Sequence, residues 1–352
     1  MFLKQAFKDI IEKYEYKQIE FFQEENVGLK AIICIHSTAL GPALGGARMF
    51  PYQSEKDAVV DVLRLAKGMT YKAAAAELNL GGGKAVIIGD PSKDKNEALL
   101  RAFGRCVDSL NGEYITGEDV GTSTEDIEVI SRETKHVAGM SEKLGGSGDP
   151  SPMTAYGVFY GIKACFREVF GSDSFSDKKI AIQGIAGKVG SHLAGLLSQE
   201  GVVLFGSEMN QKAAELLKRK INFKLVPLDK IYEIEADVFS PCAMGGILND
   251  NTIPKLKAKI VAGSANNQLL ELGHGDILHQ MGIIYAPDYI INAGGLINIA
   301  NERNPQGYSR ERALNDTEKI YERIKNIINI SKKDNIPTYL VADKIAEKRI
   351  NS

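Results

Sequence analysis

The chain has 352 residues, 44% of them hydrophobic and 25% charged, and its formal net charge is -2. This near balance of charge gives no support for a nucleic-acid or membrane-surface partner. No stretch approaches the roughly 18 apolar residues of a membrane span. The four cysteines form no CxxC pair and no histidine has zinc-site spacing with them, so we expect reduced thiols, a cytoplasmic protein and no metal site. Residues 1–22 are amphipathic and charged, unlike a secretory signal peptide.

Strands and helices are mixed in the first half of the chain. The predicted elements are a buried strand over 31–35, a helix over 55–67, a strand over 84–88, and helices over 95–108 and 125–132. Thr122 and Thr124 are both suitable N-caps for the last of these helices. Residues 141–154 (SEKLGGSGDPSPMT) break the periodicity with Gly, Ser and Pro, which is typical of a linker.

The second half alternates regularly between strands and helices. After a helix over 155–169, strands are predicted over 180–182, 202–205, 236–239, 260–262 and 283–285. This alternation is typical of a parallel, doubly wound sheet. The chain ends in amphipathic helices. The sequence therefore predicts an α/β protein of two domains.

A glycine-rich turn follows the strand over 180–182. Gly184, Gly187 and Gly190 let the backbone approach a pyrophosphate at a helix N-terminus, although a tight strand-to-helix connection also suits them. The spacing, GxxGxxG, is one residue longer than GxGxxG. Glu208 ends the next strand, where an acid binds the ribose hydroxyls and repels a 2′-phosphate, so NAD is favoured over NADP. A surface acid after a strand is the alternative.

Two lysines stand near a run of three glycines. Lys72 lies in an Ala-rich segment that favours a helix, and Lys84 follows Gly81–Gly83 and opens an apolar strand. A helix-surface lysine and a strand-edge lysine are the ordinary interpretations of these positions.

Seven motifs, in order along nearly the whole chain, resemble those of the Glu/Leu/Phe/Val amino-acid dehydrogenases, and most of all the leucine dehydrogenases. The motifs are GPALGGARM (41–49), RLAKGMTYKAAAAELNLGGGKAVIIGDP (64–91), GEDVGTSTED (117–126), GSGDPSPMTAYGV (146–158), SPCAMGGILND (240–250), VAGSANNQL (261–269) and YAPDYIINAGGLINIA (285–300).

The resemblance implies the reversible oxidative deamination of an L-amino acid to a 2-oxo acid and ammonia, with NAD as cofactor. It implies a substrate and oligomerisation domain over 1–145, a Rossmann-type NAD-binding domain over 146–330, and a C-terminal helix over 331–352 that returns to the first domain. A homo-oligomer is expected, either an octamer or a dimer.

The resemblance also implies roles for three charged residues. Lys72 would bind the substrate carboxylate as a point charge. Lys84 would be the catalytic base that takes a proton from the water attacking the iminium carbon, and burial or a nearby cation such as Lys72 would depress its pKa for that task. Asp119 would assist proton movement on the amine, with a turn or N-cap aspartate as the alternative.

The remaining implied site residues are small, apolar or amide-bearing. The substrate pocket would be lined by Leu44, Gly45, Gly46, Met69, Leu296 and Ile299, for whose side chains core packing is the alternative. The nicotinamide would lie near Thr154, Ala243, Asn266 and Asn292, and the NAGG around Asn292 also suits a plain turn. The pyrophosphate turn would use Gly184, Gly187, Lys188, Val189 and Gly190, with Glu208 on the ribose.

Two departures from the family pattern bear on function. The longer glycine turn leaves open a silent NAD-binding homologue. Leu296 and Ile299 are larger than the valines typical of leucine dehydrogenase, which favours short branched-chain substrates, namely leucine, valine or isoleucine. An aromatic substrate, phenylalanine or tryptophan, is the alternative, because a hydrophobic pocket separates neighbours by only about 1–3 kcal/mol per methylene.

Overall fold

The computed structural model describes residues 16–352, so most of the amphipathic N-terminal stretch lies outside the described residues. Contacts divide the chain into two compact units. The first unit runs to Asp149 and includes Ile299–Tyr308 and Ala346–Ser352, and the second holds Pro150–Asn298 and Ser309–Ile345. Between residues 16 and 352, no helix combines the length and the apolar character needed to cross a bilayer.

The first unit is built on a mixed sheet. Its strands within the described residues are β1 (Gln18–Glu24), β2 (Leu29–Ser37), β3 (Ala43–Leu44), β4 (Ala47–Phe50), β5 (Gly81–Ile88) and β6 (Tyr114–Ile115). They run in the order β1-β2-β5-β3-β6, and β4 also pairs with β5. The β1–β2 and β2–β5 pairs are antiparallel, whereas β3 and β4 run parallel to β5. β5 is therefore a central strand, flanked on both edges.

Helices cover both faces of this sheet: α1 (Glu55–Ala75), α2 (Glu97–Asp108) and α3 (Thr124–Ile130). Ile33 and Ile35 of β2 pack in the core with α2 and α3, while Ile32 and Cys34 pack in the core with α1. Successive side chains of a strand point to opposite faces, so β2 is apolar throughout because both faces are covered.

The observed cap of α3 corrects the predicted one. Ser123, not Thr122 or Thr124, is the N-cap, and it forms a capping box with Asp126. The Thr122 hydroxyl instead donates to the Ala47 carbonyl at 2.8 Å and so ties the Asp119 loop to β4. Spacing alone did not distinguish three adjacent hydroxyl residues, and this long-range contact decided between them.

The second unit contains the predicted parallel sheet. Its strands are β7 (Lys179–Gln183), β8 (Val203–Ser207), β9 (Lys224–Leu225), β10 (Val238–Pro241), β11 (Ile260–Val261) and β12 (Ile284–Tyr285). They run parallel in the order β12-β11-β10-β7-β8-β9. This is the strand order of a doubly wound dinucleotide-binding sheet, so the predicted α/β fold class is confirmed. The order reverses between β7 and β10, and ligands of such sheets bind at the carboxyl ends of the strands beside this point.

The later helices are α4 (Ser151–Phe170), α5 (Lys188–Gln199), α6 (Gln211–Lys218), α7 (Gly273–Gln280), α8 (Asp288–Ile291), α9 (Gly294–Ala300), α10 (Arg310–Glu318), α11 (Ile320–Asp334) and α12 (Thr338–Ile350). Short 3₁₀ turns lie at Glu25–Val27, Glu142–Leu144, Ile231–Glu233, Ile253–Lys255 and Asn301–Arg303. The last residues of α12 belong to the first unit. There the Arg349 guanidinium donates to the carbonyls of Ala74 and Leu78, where a cation complements the C-terminal end of α1.

His36 on β2 makes the stability of the first unit depend on pH. Burial, with a contribution from Lys67, lowers the pKa of His36 from 6.5 to about 4, and its Nδ1 lies 2.9 Å from the Thr70 hydroxyl. The unfolded chain therefore binds the proton more tightly, so stability is lost as the pH falls from 6.5 towards 4. We expect the urea unfolding midpoint of His36→Gln to depend less on pH than that of the parent protein between pH 6.5 and about 4. His192→Gln, at an exposed position, is the control. The prediction would be contradicted if the urea midpoints of His36→Gln and the parent protein changed equally with pH.

Candidate active site

The three glycines before Lys84 lie within β5. A Cβ on Gly82 would lie 2.0 Å from the Thr70 nitrogen, and one on Gly81 would lie 2.0 Å from the Ser37 carbonyl oxygen. Glycine is required because α1 and β2 approach the strand too closely for any side chain.

Lys84 is a buried cation with one carboxylate partner. It pairs in register with Cys34 of β2, whose side chain packs on the α1 face of the sheet, so Lys84 points to that face. The residue is 5% exposed, and its Nζ lies 3.0 Å from Asp119 Oδ1. The structure thus brings together the two predicted catalytic residues, and it argues against a solvated strand-edge lysine.

Asp119 lies in the loop after β6. Its backbone N–H donates to the Thr122 hydroxyl at 2.9 Å. Its second oxygen, Oδ2, accepts from Arg48 Nε at 2.8 Å. Burial raises the pKa of this carboxyl, but Lys84 and Arg48 outweigh burial and hold the pKa below its usual value. Asp119 is therefore an anion held between two cations.

Gly45 and Gly46 bring their backbone against this pair. A Cβ on Gly45 would lie 1.7 Å from the Gly83 carbonyl oxygen, and one on Gly46 would lie 2.3 Å from the Glu118 carbonyl oxygen. Leu44 is buried on β3, opposite Gly82 of β5. The ALGG segment is thus packed between the strand of Lys84 and the loop of Asp119.

The other predicted substrate residues lie on helices. Met69 and Lys72 are half-buried on α1, which packs on the same face of β5 as Lys84. Ile299 belongs to the first unit and lies next to Gly139, whereas Leu296 is buried in the second unit.

The glycine turn has the form that a phosphate site needs. Gly184 adopts a φ of 74°, and a Cβ on Gly190 would lie 2.1 Å from the Gly184 carbonyl oxygen. Gly187 is the N-cap of α5, followed by Lys188 and Val189 in the first helical turn. The N–H groups of a first turn have no acceptor within the helix and so suit an anion.

Glu208, at the end of β8, is bound to this turn. Its Oε2 accepts from the Ala186 N–H at 3.1 Å and its Oε1 accepts from the Asn210 N–H at 3.0 Å. The turn closes with the Gly187 N–H donating to the Gly184 carbonyl at 3.0 Å. The turn thus accommodates its extra residue with the Ala186 N–H bonded to the Glu208 carboxylate.

Asn266 and Asn292 are hydrogen-bonded to each other. Asn292 Nδ2 donates to Asn266 Oδ1 at 2.8 Å and to the Ser264 carbonyl at 3.1 Å. Asn292 is 3% exposed, and within residues 16–352 its Oδ1 has no hydrogen-bond partner. An unsatisfied buried acceptor is costly, and the amide of a bound ligand is a fitting donor for it.

Thr154 lies beside the segment that carries Asn292, and Ala243 lies beside the glycine turn. The Thr154 hydroxyl donates to the Pro150 carbonyl at 3.0 Å and would lie 2.6 Å from a Cβ on Gly295. Ala243, in the loop after β10, would lie 2.8 Å from a Cβ on Gly184. Thr154 is therefore next to the Asn292 segment, and Ala243 is next to the glycine turn at the point where the strand order reverses.

Two residues that matter to these sites received no role from the sequence. Arg48 lies within the quoted GPALGGARM motif, and the signal was a charged residue between two apolar ones on a short strand. Gln268 is fully buried; its side chain donates to the carbonyls of Gly263 and Ala265, and so it shapes the loop that carries Asn266.

Comparison with protein-family models identifies both halves of the chain. Residues 17–136 match the Glu/Leu/Phe/Val dehydrogenase dimerisation domain. Residues 145–208 and 207–350 match the Glutamate/Leucine/Phenylalanine/Valine dehydrogenase domain.

Individual relatives agree with these matches. A leucine dehydrogenase of Geobacillus stearothermophilus is 56% identical over 342 residues, covering 97% of this chain and 92% of the relative. A phenylalanine dehydrogenase of Lysinibacillus sphaericus is 50% identical over 349 residues, covering 97% and 91%. The crystal structure of L-tryptophan dehydrogenase from Nostoc punctiforme superposes with a TM-score of 0.85 at 45% identity and covers 98% of each chain. The chain belongs to the Glu/Leu/Phe/Val dehydrogenase family of pyridine-nucleotide-dependent amino-acid dehydrogenases.

Proposed function

We propose that the protein catalyses the NAD-dependent, reversible oxidative deamination of a branched-chain aliphatic L-amino acid to the 2-oxo acid and ammonia. The observation that carries this proposal is the buried Lys84–Asp119 ion pair beside the Gly45–Gly46 backbone. It occurs in a chain that is 56% identical to a leucine dehydrogenase.

In the proposed site, Lys72 binds the substrate carboxylate and Lys84 acts as the base. The Lys84 ammonium would first give a proton to the adjacent Asp119 carboxylate. Water then attacks the iminium carbon, and the neutral Lys84 amine takes the proton that this water loses. Asp119 moves a proton on the amine nitrogen, which departs as ammonia. Leu44, Gly45, Gly46, Met69, Leu296 and Ile299 are the proposed pocket. The buried position of Lys84 supports this scheme, because a base shielded from bulk water exchanges its proton with the substrate water.

The proposed cofactor site lies in the second unit. Gly184, Gly187, Lys188, Val189 and Gly190 would hold the pyrophosphate, and Thr154, Ala243, Asn266 and Asn292 would hold the nicotinamide end. The bound dinucleotide supplies the acceptor for the hydride from the substrate α-carbon. Glu208 favours NAD, because a carboxylate at the end of β8 repels a 2′-phosphate. Two observations support this assignment: α5 begins at the glycine turn without a side-chain cap, and within residues 16–352 the buried Asn292 Oδ1 lacks a hydrogen-bond partner.

We also propose a domain organisation, an oligomeric state and a cellular location. Residues 1–145 would bind substrate and mediate oligomerisation, 146–330 would bind NAD, and 331–352 would return to the first domain. The match of residues 17–136 to a dimerisation domain supports a homo-oligomer, a dimer or an octamer. The cytoplasm is the proposed location, because thiols that form no disulfide suit a reducing compartment.

The alternative substrate class is aromatic. Its support is the 50% identity to a phenylalanine dehydrogenase and the 45% identity to a tryptophan dehydrogenase. Leu296 and Ile299 favour the aliphatic class, because bulky side chains shorten a pocket.

One panel of reactions tests these proposals. The purified protein is incubated with each of several L-amino acids and with NAD or NADP, and the absorbance of the reduced cofactor is followed. We expect turnover of leucine, valine and isoleucine with NAD. A higher kcat/KM for phenylalanine or tryptophan would favour the aromatic alternative. Tight NAD binding without turnover of any amino acid would indicate a catalytically inactive, NAD-binding homologue and would contradict the proposal.

Lys72→Ala tests the proposed carboxylate site. The charge that holds the substrate is lost while Lys84 and Asp119 remain, so KM for leucine should rise on the order of 10- to 100-fold, as for the loss of one charge-assisted contact. The change in kcat should be smaller. Lys67→Ala, an exposed lysine on the same helix, is the control. An unchanged KM in Lys72→Ala would contradict the proposal that Lys72 binds the substrate carboxylate.

A further inference from the structure

Arg48 lies on the same side of the sheet as Lys84. Its neighbours Ala47 and Met49 pack in the core with α2 and α3, so alternation sends Arg48 to the α1 side. Arg48 also pairs in register with Val86 of β5, two residues beyond Lys84 on that face. Its side chain is 23% exposed.

The two oxygens of Asp119 are divided between two cations. Oδ1 faces Lys84 Nζ at 3.0 Å, and Oδ2 accepts from Arg48 Nε at 2.8 Å. With one oxygen held by a planar guanidinium, the carboxylate plane is set and the other oxygen is directed at the lysine.

Arg48 is itself held at its far end. Its Nη1 donates to Asp61 Oδ2 at 2.9 Å, and the Tyr52 hydroxyl donates to the same oxygen at 2.7 Å. Asp61 lies on α1, so the guanidinium joins the helix to the Asp119 loop. Two donors of the guanidinium, Nε and Nη1, are thus engaged by two different carboxylates, which opposes its rotation away from Asp119.

We propose that Arg48 is the positioning residue of the Lys84–Asp119 pair, with Asp61 and Tyr52 orienting it, and this rests on the proposed function. Arg48 touches neither substrate nor cofactor in this scheme. It holds the Asp119 carboxylate in place and keeps it ionised, so that the carboxylate accepts a proton during turnover.

Electrostatics give this role a measurable signature. Lys84 and Arg48 together hold the pKa of Asp119 below its usual value against the opposing effect of burial. Among the described residues, the phenols of Tyr52 and Tyr114 also interact electrostatically with this carboxyl, and Asp61 lies beyond Arg48. Without Arg48, only Lys84 opposes the rise in the pKa of Asp119 that burial causes. The pKa of Asp119 then rises, and the acid limb of kcat/KM moves to higher pH by about 1–3 units, the usual effect of a neighbouring arginine.

The test compares Arg48→Met, Arg48→Lys, Asp61→Asn and the control Arg132→Met. Arg132 forms an exposed ion pair with Glu97 in the same unit, at 2.7 Å. For each variant we would measure kcat and KM separately, the pH profile of kcat/KM, the affinity for NADH and the thermal unfolding midpoint. The substrate is the amino acid on which the parent protein is most active.

We expect Arg48→Met to lower kcat on the order of 10²-fold with a small change in KM and with the acid limb shifted upward. Arg48→Lys should shift the acid limb less than Arg48→Met because it keeps the charge, but it should still lower kcat because it lacks the planar guanidinium. Asp61→Asn should lower kcat less than Arg48→Met. Arg132→Met should match the parent.

An unshifted acid limb in Arg48→Met would overturn the proposal. Should Arg48→Met fail to fold, an unchanged kcat in both Arg48→Lys and Asp61→Asn would overturn it, because each of these variants loosens the hold on the Asp119 carboxylate. A fall in kcat that merely follows a fall in the unfolding midpoint would do the same. If the parent protein turns over no amino acid, the proposed function fails instead, and the two failures are distinguishable.

Discussion

Lys84→Ala is expected to reduce kcat on the order of 10³- to 10⁴-fold while NADH affinity changes little. General acid–base catalysis contributes up to about 10⁴-fold, and Lys84 Nζ lies 3.0 Å from Asp119 Oδ1. Glu208 and the glycine turn belong to the second unit, so the change leaves them intact. Steady-state rates of cofactor reduction, with NADH affinity measured by fluorescence, check both halves of this expectation.

Removing one partner of a buried ion pair also destabilises a protein, because the other charge is left uncompensated. Lys84→Met keeps most of the side-chain volume, and its unfolding midpoint separates loss of catalysis from loss of fold. Lys17→Ala is the matched control, since it removes an exposed lysine–carboxylate pair of 2.8 Å in the same unit. A variant at Lys84 that keeps more than a tenth of the parent kcat would contradict the proposed role of Lys84 as the base, given the size of acid–base effects.

Gly45→Ala is expected to have the second-largest effect, on fold and activity together. Its Cβ would lie 1.7 Å from the Gly83 carbonyl oxygen, 2.6 Å from the carbonyl carbon and 3.3 Å from Lys84 Cα. These are backbone atoms of a central strand, which do not move aside as a flexible side chain does. We expect a loss of unfolding free energy of about 3 kcal/mol or more, the upper range for overpacking, and a large loss of kcat as Lys84 is displaced.

Gly68→Ala is the matched control for this substitution. Gly68 is exposed on α1, and a Cβ there meets no atom within 4 Å. Replacing a helix-interior glycine by alanine stabilises by about 0.5–1 kcal/mol, so the same chemical change should have opposite signs at the two sites. Urea denaturation of both variants measures the difference. A Gly45→Ala protein as stable as the parent would show that β3 and β5 are able to separate.

Much of the fold could be predicted from periodicity. The alternation of strands and helices after residue 178 predicted the parallel sheet, because βαβ units join parallel strands only through a crossover. Element boundaries were less accurate. Gly81–Gly83 belongs to β5 although glycine disfavours strands, since close packing on α1 and β2 outweighs the intrinsic preference.

The site was predicted unevenly. Lys84 and Asp119 were both named from motifs, but their direct contact joins residues 35 positions apart in the chain and required the fold. Arg48 was quoted in a motif and received no role, because an arginine on a short strand has no local feature that identifies its partner. Asp61 stands 58 positions before Asp119, and only the packing of α1 on the sheet connects the two through one guanidinium.

The sequence by itself determined the family, the α/β class and the residue types available for catalysis, because these depend on local patterns and motif order. The tertiary structure decided which charges are paired: Lys84 with Asp119, Asp119 with Arg48, and Arg48 with Asp61. It also decided that the glycines before Lys84 form a strand packed under a helix and that Glu208 accepts a hydrogen bond from the glycine turn. The physical reason is that ion pairing and close packing depend on distances between residues remote in sequence, which only the folded chain brings within a few ångströms.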